Sequence, residues 1–282
     1  MSNSEGNGKM SVLSRIISEA ADRMDLSGKS IMVHSSFRSF GPIPGGPQAV
    51  IDGLLKRGCT VMVPTFSMVY EIAPPDGDHI LRNGIDYETY RKDISDSNMI
   101  YRSDSNEVGD SMGAIPKCLL SINGRYRGNH PRCSFAAVGP RAEELIAAQS
   151  PFDGNGPIKK LSDLNGLVVL MGVGLSRMTA LHKAEEMCGR KPFIRWVNGV
   201  DGKPIRVDFG SCSDGFDNLG PVLNSIENRT RVGSSLWRVF PVAETLRLAA
   251  DAMINNPMIT NCGRECLRCE DVIAGGPVFS PA

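Results

Sequence analysis

The sequence predicts an α/β layer fold, and three observations carry that expectation. Short apolar runs that suit buried strands alternate with segments of 3.6-residue periodicity, the opening reads helix, strand, polar loop, helix, strand, and Gly and Pro fall between the runs as punctuation. In 10–24 the apolar residues Val12, Leu13, Ile16, Ile17, Ala20, Ala21 and Met24 share one face of an amphipathic helix. S-I-M-V-H (30–34) is a buried strand that ends in polar residues. A second helix follows over 47–55, with Pro47 acceptable in its first turn and Gly58 beyond its end. T-V-M-V-P (60–64) is a second buried strand. Residues 67–107 are polar, carry Pro74-Pro75-Asp76-Gly77 and lack a period, so they read as a long surface excursion of the kind that is usually functional. A strand at 134–138 and a helix at 142–149 come next. L-V-V-L-M-G-V (167–173) is the strongest buried strand, with a helix over 178–188 behind it. Residues 194–208 read as a hairpin turned at Asn198-Gly199 and Asp201-Gly202, and 221–226 and 243–254 as helices.

The chain has 282 residues, 31 Lys+Arg against 31 Asp+Glu and 41% hydrophobic residues. That length can bury about three quarters of its unfolded surface. No repeat or linker divides it, so one domain is expected over 10–282 after a polar, disordered tail at 1–9. Zero net charge offers no global field for nucleic acid or an anionic membrane. The longest apolar run, 167–175, falls far short of the ~20 residues that span a bilayer, and the polar start is not a signal peptide. The expectation is a cytoplasmic protein whose eight cysteines stay thiols.

His34-Ser35-Ser36 and Thr65-Phe66-Ser67 each follow a strand, where open α/β sheets bind ligands. Their hydroxyls and backbone amides suit phosphates or amides, although such residues also serve as ordinary turns. Met171-Gly172-Val173-Gly174 is half of a dinucleotide fingerprint, with Arg177 where the third glycine belongs. His182 has Glu185 and Glu186 at i+3 and i+4, on the same helix face, as a general base with an orienting carboxylate requires. A local charged-helix histidine has the same spacing. His130 and Cys133 offer a thiol and a base close in sequence. Cys262, Cys266 and Cys269 cluster but lack an evident fourth ligand, so no metal is expected.

Read as blocks, V-H-S-S-F-R-S-F-G-P-I-P-G-G-P-Q-A-V-I-D-G-L-L (33–55), V-P-T-F-S (63–67), M-G-A-I-P (112–116), H-P-R-C-S-F-A-A-V-G-P-R-A (130–142), L-V-V-L-M-G-V-G-x4-T-A-L-H-x-A-E (167–185), C-S-D-G-F (212–216) and C-L-R-C-E (266–270) resemble, in order, the aminoglycoside 3-N-acetyltransferase family. The resemblance implies a central mixed sheet flanked by helices in three layers, and acetyl-CoA as co-substrate. It implies that His182 is the general base, and that His34, Ser35, Ser36, Arg38, Thr65, Ser67, Met112, Gly113 and Ser134 contact CoA. Met178 stands where family members often have Asn.

Within that resemblance an ammonium must lose its proton to attack a thioester, and a histidine can take it. Glu185 or Asp214 would orient the ring, and the 172–176 turn would supply oxyanion amides. The excursion over 68–110 carries ten acidic against four basic residues, favouring a cationic substrate. The expected reaction is acetyl transfer to the 3-N amine of an aminoglycoside, which confers antibiotic resistance. Two alternatives stand beside it: the same transfer to another amine in natural-product biosynthesis, and a hydrolase using Cys133 with His130 or His182. The expected partner is a small-molecule amine, and a homodimer is left open.

Overall fold

A computed structural model describes residues 12–42, 44–94 and 97–279. The tail at 1–9 therefore lies outside the described residues, as does Asp96 of the excursion. One sheet holds β1 (Ser30–Ser35), β2 (Thr60–Pro64), β4 (Tyr126–Arg127), β5 (Phe135–Val138), β6 (Leu167–Met171), β9 (Asn228–Val232) and β10 (Ser235–Pro241). A second holds β3 (Glu71–Ile72), β7 (Phe193–Asn198) and β8 (Pro204–Phe209). The large sheet runs β4-β5-β2-β1-β6-β10-β9. Its centre is parallel, β2 and β6 flanking β1, and the outer pairings are antiparallel, so the sheet is mixed.

The period of two along each strand divides the core. Ile31, Val33, Val61, Val63, Val169 and Trp237 face α1 (Val12–Arg23), α2 (Gly46–Leu55) and α4 (Ala114–Leu120). Met32, Met62, Phe135, Val168, Leu170 and Phe240 face α5 (Ala142–Ile146), α6 (Gly156–Asp163), α7 (Ala180–Met187), α8 (Gly220–Leu223) and α9 (Val242–Asn255). This gives the three expected layers. Two further helices, α3 (Tyr87–Asp93) and α10 (Leu267–Ile273), lie at the periphery. The apolar stripe of α1 buries Leu13, Ile17, Ala20 and Ala21 against α2. Gly53 makes that approach close: a Cβ there would sit 2.6 Å from the Ser14 carbonyl oxygen, and Ser18 Oγ donates to the Gly53 carbonyl at 2.9 Å.

The structure departs from the sequence-based expectation in several places, two of them close to the site. The helix expected over 142–149 stops at Ile146. Gln149 leaves it because its amide serves three backbone groups elsewhere. Nε2 donates to the carbonyls of Cys133 and Gly154, and Oε1 accepts from Phe135 N. The excursion is not free chain either. It supplies β3, which pairs antiparallel with β7, and α3, capped by the Asp86 carboxylate.

Candidate active site

A cleft of about 730 Å3 opens beyond the carboxyl ends of β1, β2 and β6, the edge at which open α/β sheets take ligands. Its wall brings together 33–38 after β1, Asp110–Ala114 ahead of α4, Ser176–Thr179 after β6, His182 on α7 and Asp208–Ser211 at the end of β8. The second sheet thus closes a side of the cleft that the first sheet alone would leave open.

His182 is set by a converging network. Its Nδ1 lies 2.9 Å from Glu185 Oε2, one helical turn on, and the ring stands 4.9 Å from that of Phe216. Glu185 is buried and also accepts from Ser211 Oγ at 2.5 Å and Arg190 Nη1 at 3.2 Å. Arg190 is itself anchored to Thr260 and the Pro257 carbonyl. With Nδ1–H donating to the carboxylate, the ring's remaining nitrogen is Nε2, on a side chain that lines the cleft. Gly210 is required beside it, since a Cβ there would fall 2.9 Å from Nε2. Of the two carboxylates considered for His182, Glu185 is the one that touches the ring. Asp214 is on the surface, ion-paired with Arg264, and does not reach the ring.

His130 forms a second histidine–carboxylate pair, with Nε2 2.9 Å from Asp208 Oδ1. Its Nδ1 accepts two backbone amides, Arg132 N at 3.2 Å and Cys133 N at 2.9 Å. Accepting at Nδ1 places the proton on Nε2, which donates to Asp208. Both nitrogens are spent, so His130 has none left to activate Cys133. Burial moreover pushes the Cys133 thiol up to about 12. The Cys133–His130 hydrolase reading fails on both counts. Asp208 also accepts Gly154 N at 3.0 Å and lines the cleft.

The residues expected at CoA divide in two. His34, Ser35, Ser36, Arg38, Met112 and Gly113 line the cleft. Thr65, Ser67 and Ser134 do not; they are buried between β2 and β5. There Thr65 Oγ1 donates to the Ser134 carbonyl at 2.9 Å, and Arg127 binds Ser134 Oγ and the Thr65 carbonyl. The turn after β6 differs as well. Gly172 N donates to the Leu236 carbonyl, and Leu175 N and Ser176 N donate to Asp217 Oδ1 at 2.7 and 3.3 Å, so those three amides are not oxyanion donors. Met178, at the position of the family's Asn, is buried in the cleft wall.

The excursion's acids are largely spent on nearby donors, most of them basic. Asp76 pairs with Arg91, Asp78 with Arg206 and Trp196, Glu88 with Lys92 and Asp104 with Arg102. Glu71 is buried between Arg132 and Arg195. Of the excursion's described acids only Asp110 lines the cleft, joined from β8 by Asp208. The cations of the wall are Arg38, Arg177 and Arg268. Neither Arg38 nor Arg177 pairs with a carboxylate among the described residues, so both remain for anionic groups such as phosphates. His34 is the penultimate residue of β1, with Nε2 buried and lacking a hydrogen-bond partner, and burial, aided by Arg177, lowers its pKa to about 3. A neutral, orphaned imidazole in the wall fits a polar ligand such as pantetheine. These residues fit a CoA ester.

Sequence reasoning missed Asp208, Gly210, Ser211 and Arg190. Ser211 directly precedes the C-S-D-G-F block, which was the available signal. The missing fourth ligand of the cysteine cluster is also supplied: Cys212 joins Cys262, Cys266 and Cys269.

A mixed sheet with a ligand cleft at its parallel centre, lined by an oriented histidine and unpaired arginines, defines a class of enzymes that act on an anionic co-substrate. The chain belongs to the aminoglycoside 3-N-acetyltransferase family, whose sequence pattern matches residues 32–254. Aminoglycoside N(3)-acetyltransferase IX of Micromonospora chalcea is 32% identical over 185 residues, covering 62% of this chain and 61% of that enzyme. Aminoglycoside N(3)-acetyltransferase IV of Salmonella is 28% identical over 251 residues, covering 82% and 83%. Among solved structures, a variant of aminoglycoside acetyltransferase AAC(3)-IVa in complex with a gentamicin superposes with a TM-score of 0.73 at 24% identity, covering 93% of this chain and 96% of that one. AAC-IIIb in a binary complex with CoASH gives 0.68 at 19%, covering 85% and 95%. No described helix is long and apolar enough to cross a membrane.

Proposed function

We propose that this protein transfers the acetyl group of acetyl-CoA directly to the 3-N amine of an aminoglycoside, with His182 as general base and Glu185 as its positioning residue. The observation that carries the reading is the hydrogen-bond pattern of His182: Nδ1 is held by Glu185, which leaves Nε2 for the substrate. The amine nitrogen bonds to the thioester carbon, Nε2 takes the proton the nitrogen loses, and the tetrahedral intermediate collapses with cleavage of the C–S bond. CoA leaves as thiolate, and the proton returns to it or to solvent. No protein nucleophile is used, in keeping with the protonated Cys133. Arg38 and Arg177 would meet the phosphates, and His34, Ser35 and Ser36 the pantetheine. The names of the relatives and the gentamicin and CoASH complexes of the structural neighbours support substrate and co-substrate. Modifying one ammonium removes a charge with which such a drug binds RNA, so the expected consequence is resistance, exerted in the cytoplasm.

One observation favours a second reading, the same transfer to a less cationic amine in natural-product biosynthesis. The cleft carries three arginines against Asp110 and Asp208. The experiment offers the protein acetyl-CoA with gentamicin, sisomicin and apramycin beside monoamines, measures thiol release, and locates the acetyl group by NMR. Aminoglycoside turnover with acetylation at 3-N supports the first reading. Turnover confined to monoamines selects the second.

A further inference from the structure

We propose that Cys212, Cys262, Cys266 and Cys269 form a structural zinc site. Their four sulfur atoms all lie within 4.8 Å of one another, although the chain brings Cys212 from a segment far from the other three. Zinc held by four thiolates at about 2.3 Å sets the sulfurs about 3.8 Å apart, so the cluster needs only a slight contraction to close on the metal. Thiolates are the soft ligands that zinc takes in closed, four-coordinate structural sites, with no position open for catalysis. All eight cysteines of the chain are free thiols, so no disulfide competes for these four. Cys212 and Cys269 are buried, whereas Cys262 and Cys266 are half-buried and open a path for the metal.

The surroundings are those of a metal knuckle. Cys262 Sγ lies 3.9 Å from the Arg264 carbonyl, two residues on, in the tight turn that brings Cys262 and Cys266 together. Binding one zinc ion releases four thiol protons and leaves a centre with two net negative charges. Arg264 and Arg268, both within electrostatic reach of the cluster, oppose that charge. The location gives the site a purpose independent of which amine is acetylated. Cys212 directly follows Ser211, whose hydroxyl donates to Glu185, and Arg268 donates to the Ser211 carbonyl and lines the cleft. Zinc would pin the 211–214 segment and the start of α10 behind the His182–Glu185 pair.

The test is elemental analysis of the untagged full-length protein, purified under reducing conditions without chelator. About one zinc per chain is expected, and Cys262→Ser and Cys266→Ser, at the more open positions, should each hold well under half of that. Zinc removed by chelation and replaced by cobalt(II) should give the thiolate-to-cobalt charge-transfer bands of a tetrahedral tetrathiolate centre. Bound zinc should also protect four of the eight cysteines from alkylation. The proposal is overturned if the isolated protein holds no zinc and takes up neither zinc nor cobalt when titrated. It is equally overturned by iron in place of zinc, by full metal content in both serine variants, or by zinc that protects none of the four thiols.

Discussion

Two histidines each stand 2.9 Å from a carboxylate, yet only His182 reaches the cleft. His130 is fully buried; it gives one nitrogen to Asp208 and the other to two backbone amides, which fastens the 130–133 turn to β8. His182 commits only Nδ1, and its ring forms part of the cleft wall. The pairing of residue types is the same in both. What separates a base from a brace is whether any ring nitrogen is left for a substrate.

That contrast predicts unequal outcomes. His182→Ala should lower kcat by roughly 10²–10⁴, with little change in KM for acetyl-CoA, because a base acts in the transition state. Glu185→Gln should cost up to about 10⁴ in kcat by presenting the wrong partner to Nδ1, and the double variant should be no worse than His182→Ala alone, because residues acting as a unit are not additive. Steady-state kinetics at saturating acetyl-CoA measures both, and additive losses would break the unit.

His130→Ala should instead act on stability. Removing a fully buried ring with three hydrogen-bond partners should cost about 2–4 kcal/mol in urea unfolding, while the folded fraction keeps kcat within about tenfold of wild type. Loss of kcat comparable to that of His182→Ala would erase the distinction. Cys133→Ala should retain most activity, since a thiol held near 12 by burial contributes no thiolate at neutral pH.

The smallest effect concerns His34, which stays neutral in the fold down to about pH 3 but gains a proton near pH 6.5 once unfolded. Between those values the unfolded chain binds more protons, so this residue's contribution to stability is full above about pH 6.5 and is lost progressively as the pH falls. His34→Gln should flatten the acid side of a plot of urea midpoint against pH between 7 and 5. An unchanged slope would show that the imidazole is charged in the folded protein.

Much of this was legible in the chain. The parallel strands β1, β2 and β6 are continuous apolar runs because both faces are covered, and helices α1, α2, α7 and α9 show their period for the same packing reason. The hairpin β9–β10 was missed. β9 is an edge strand reading N-R-T-R-V, whose exposed residues carry no apolar alternation, and Glu227 pairs with Arg229 and Arg238 through contacts that a sequence does not display. The local pair His182–Glu185 was readable because helical spacing fixes it. Asp208 and Ser211 come to the site from β8 and the loop after it, and tertiary folding alone joins them, whereas Arg190 follows α7 and reaches Glu185 five residues back with no helical spacing to announce it. Charge counting over 68–110 did not locate the cleft's acids, because most of those acids neutralise basic neighbours, and Asp208 joins Asp110 from β8. Thr65 and Ser134 look like ligand residues at strand ends, and they spend their hydroxyls on each other.

Direct transfer, with His182 as base and no acyl-enzyme, is the central claim. It is tested most directly by mixing enzyme with acetyl-CoA alone and following thiol release through the first turnover, with mass analysis of the intact protein. The account predicts no burst of CoA, an unacetylated chain, and immediate release once the amine is added. A burst of one equivalent of CoA with an acetylated chain, abolished in Cys133→Ala, would contradict it.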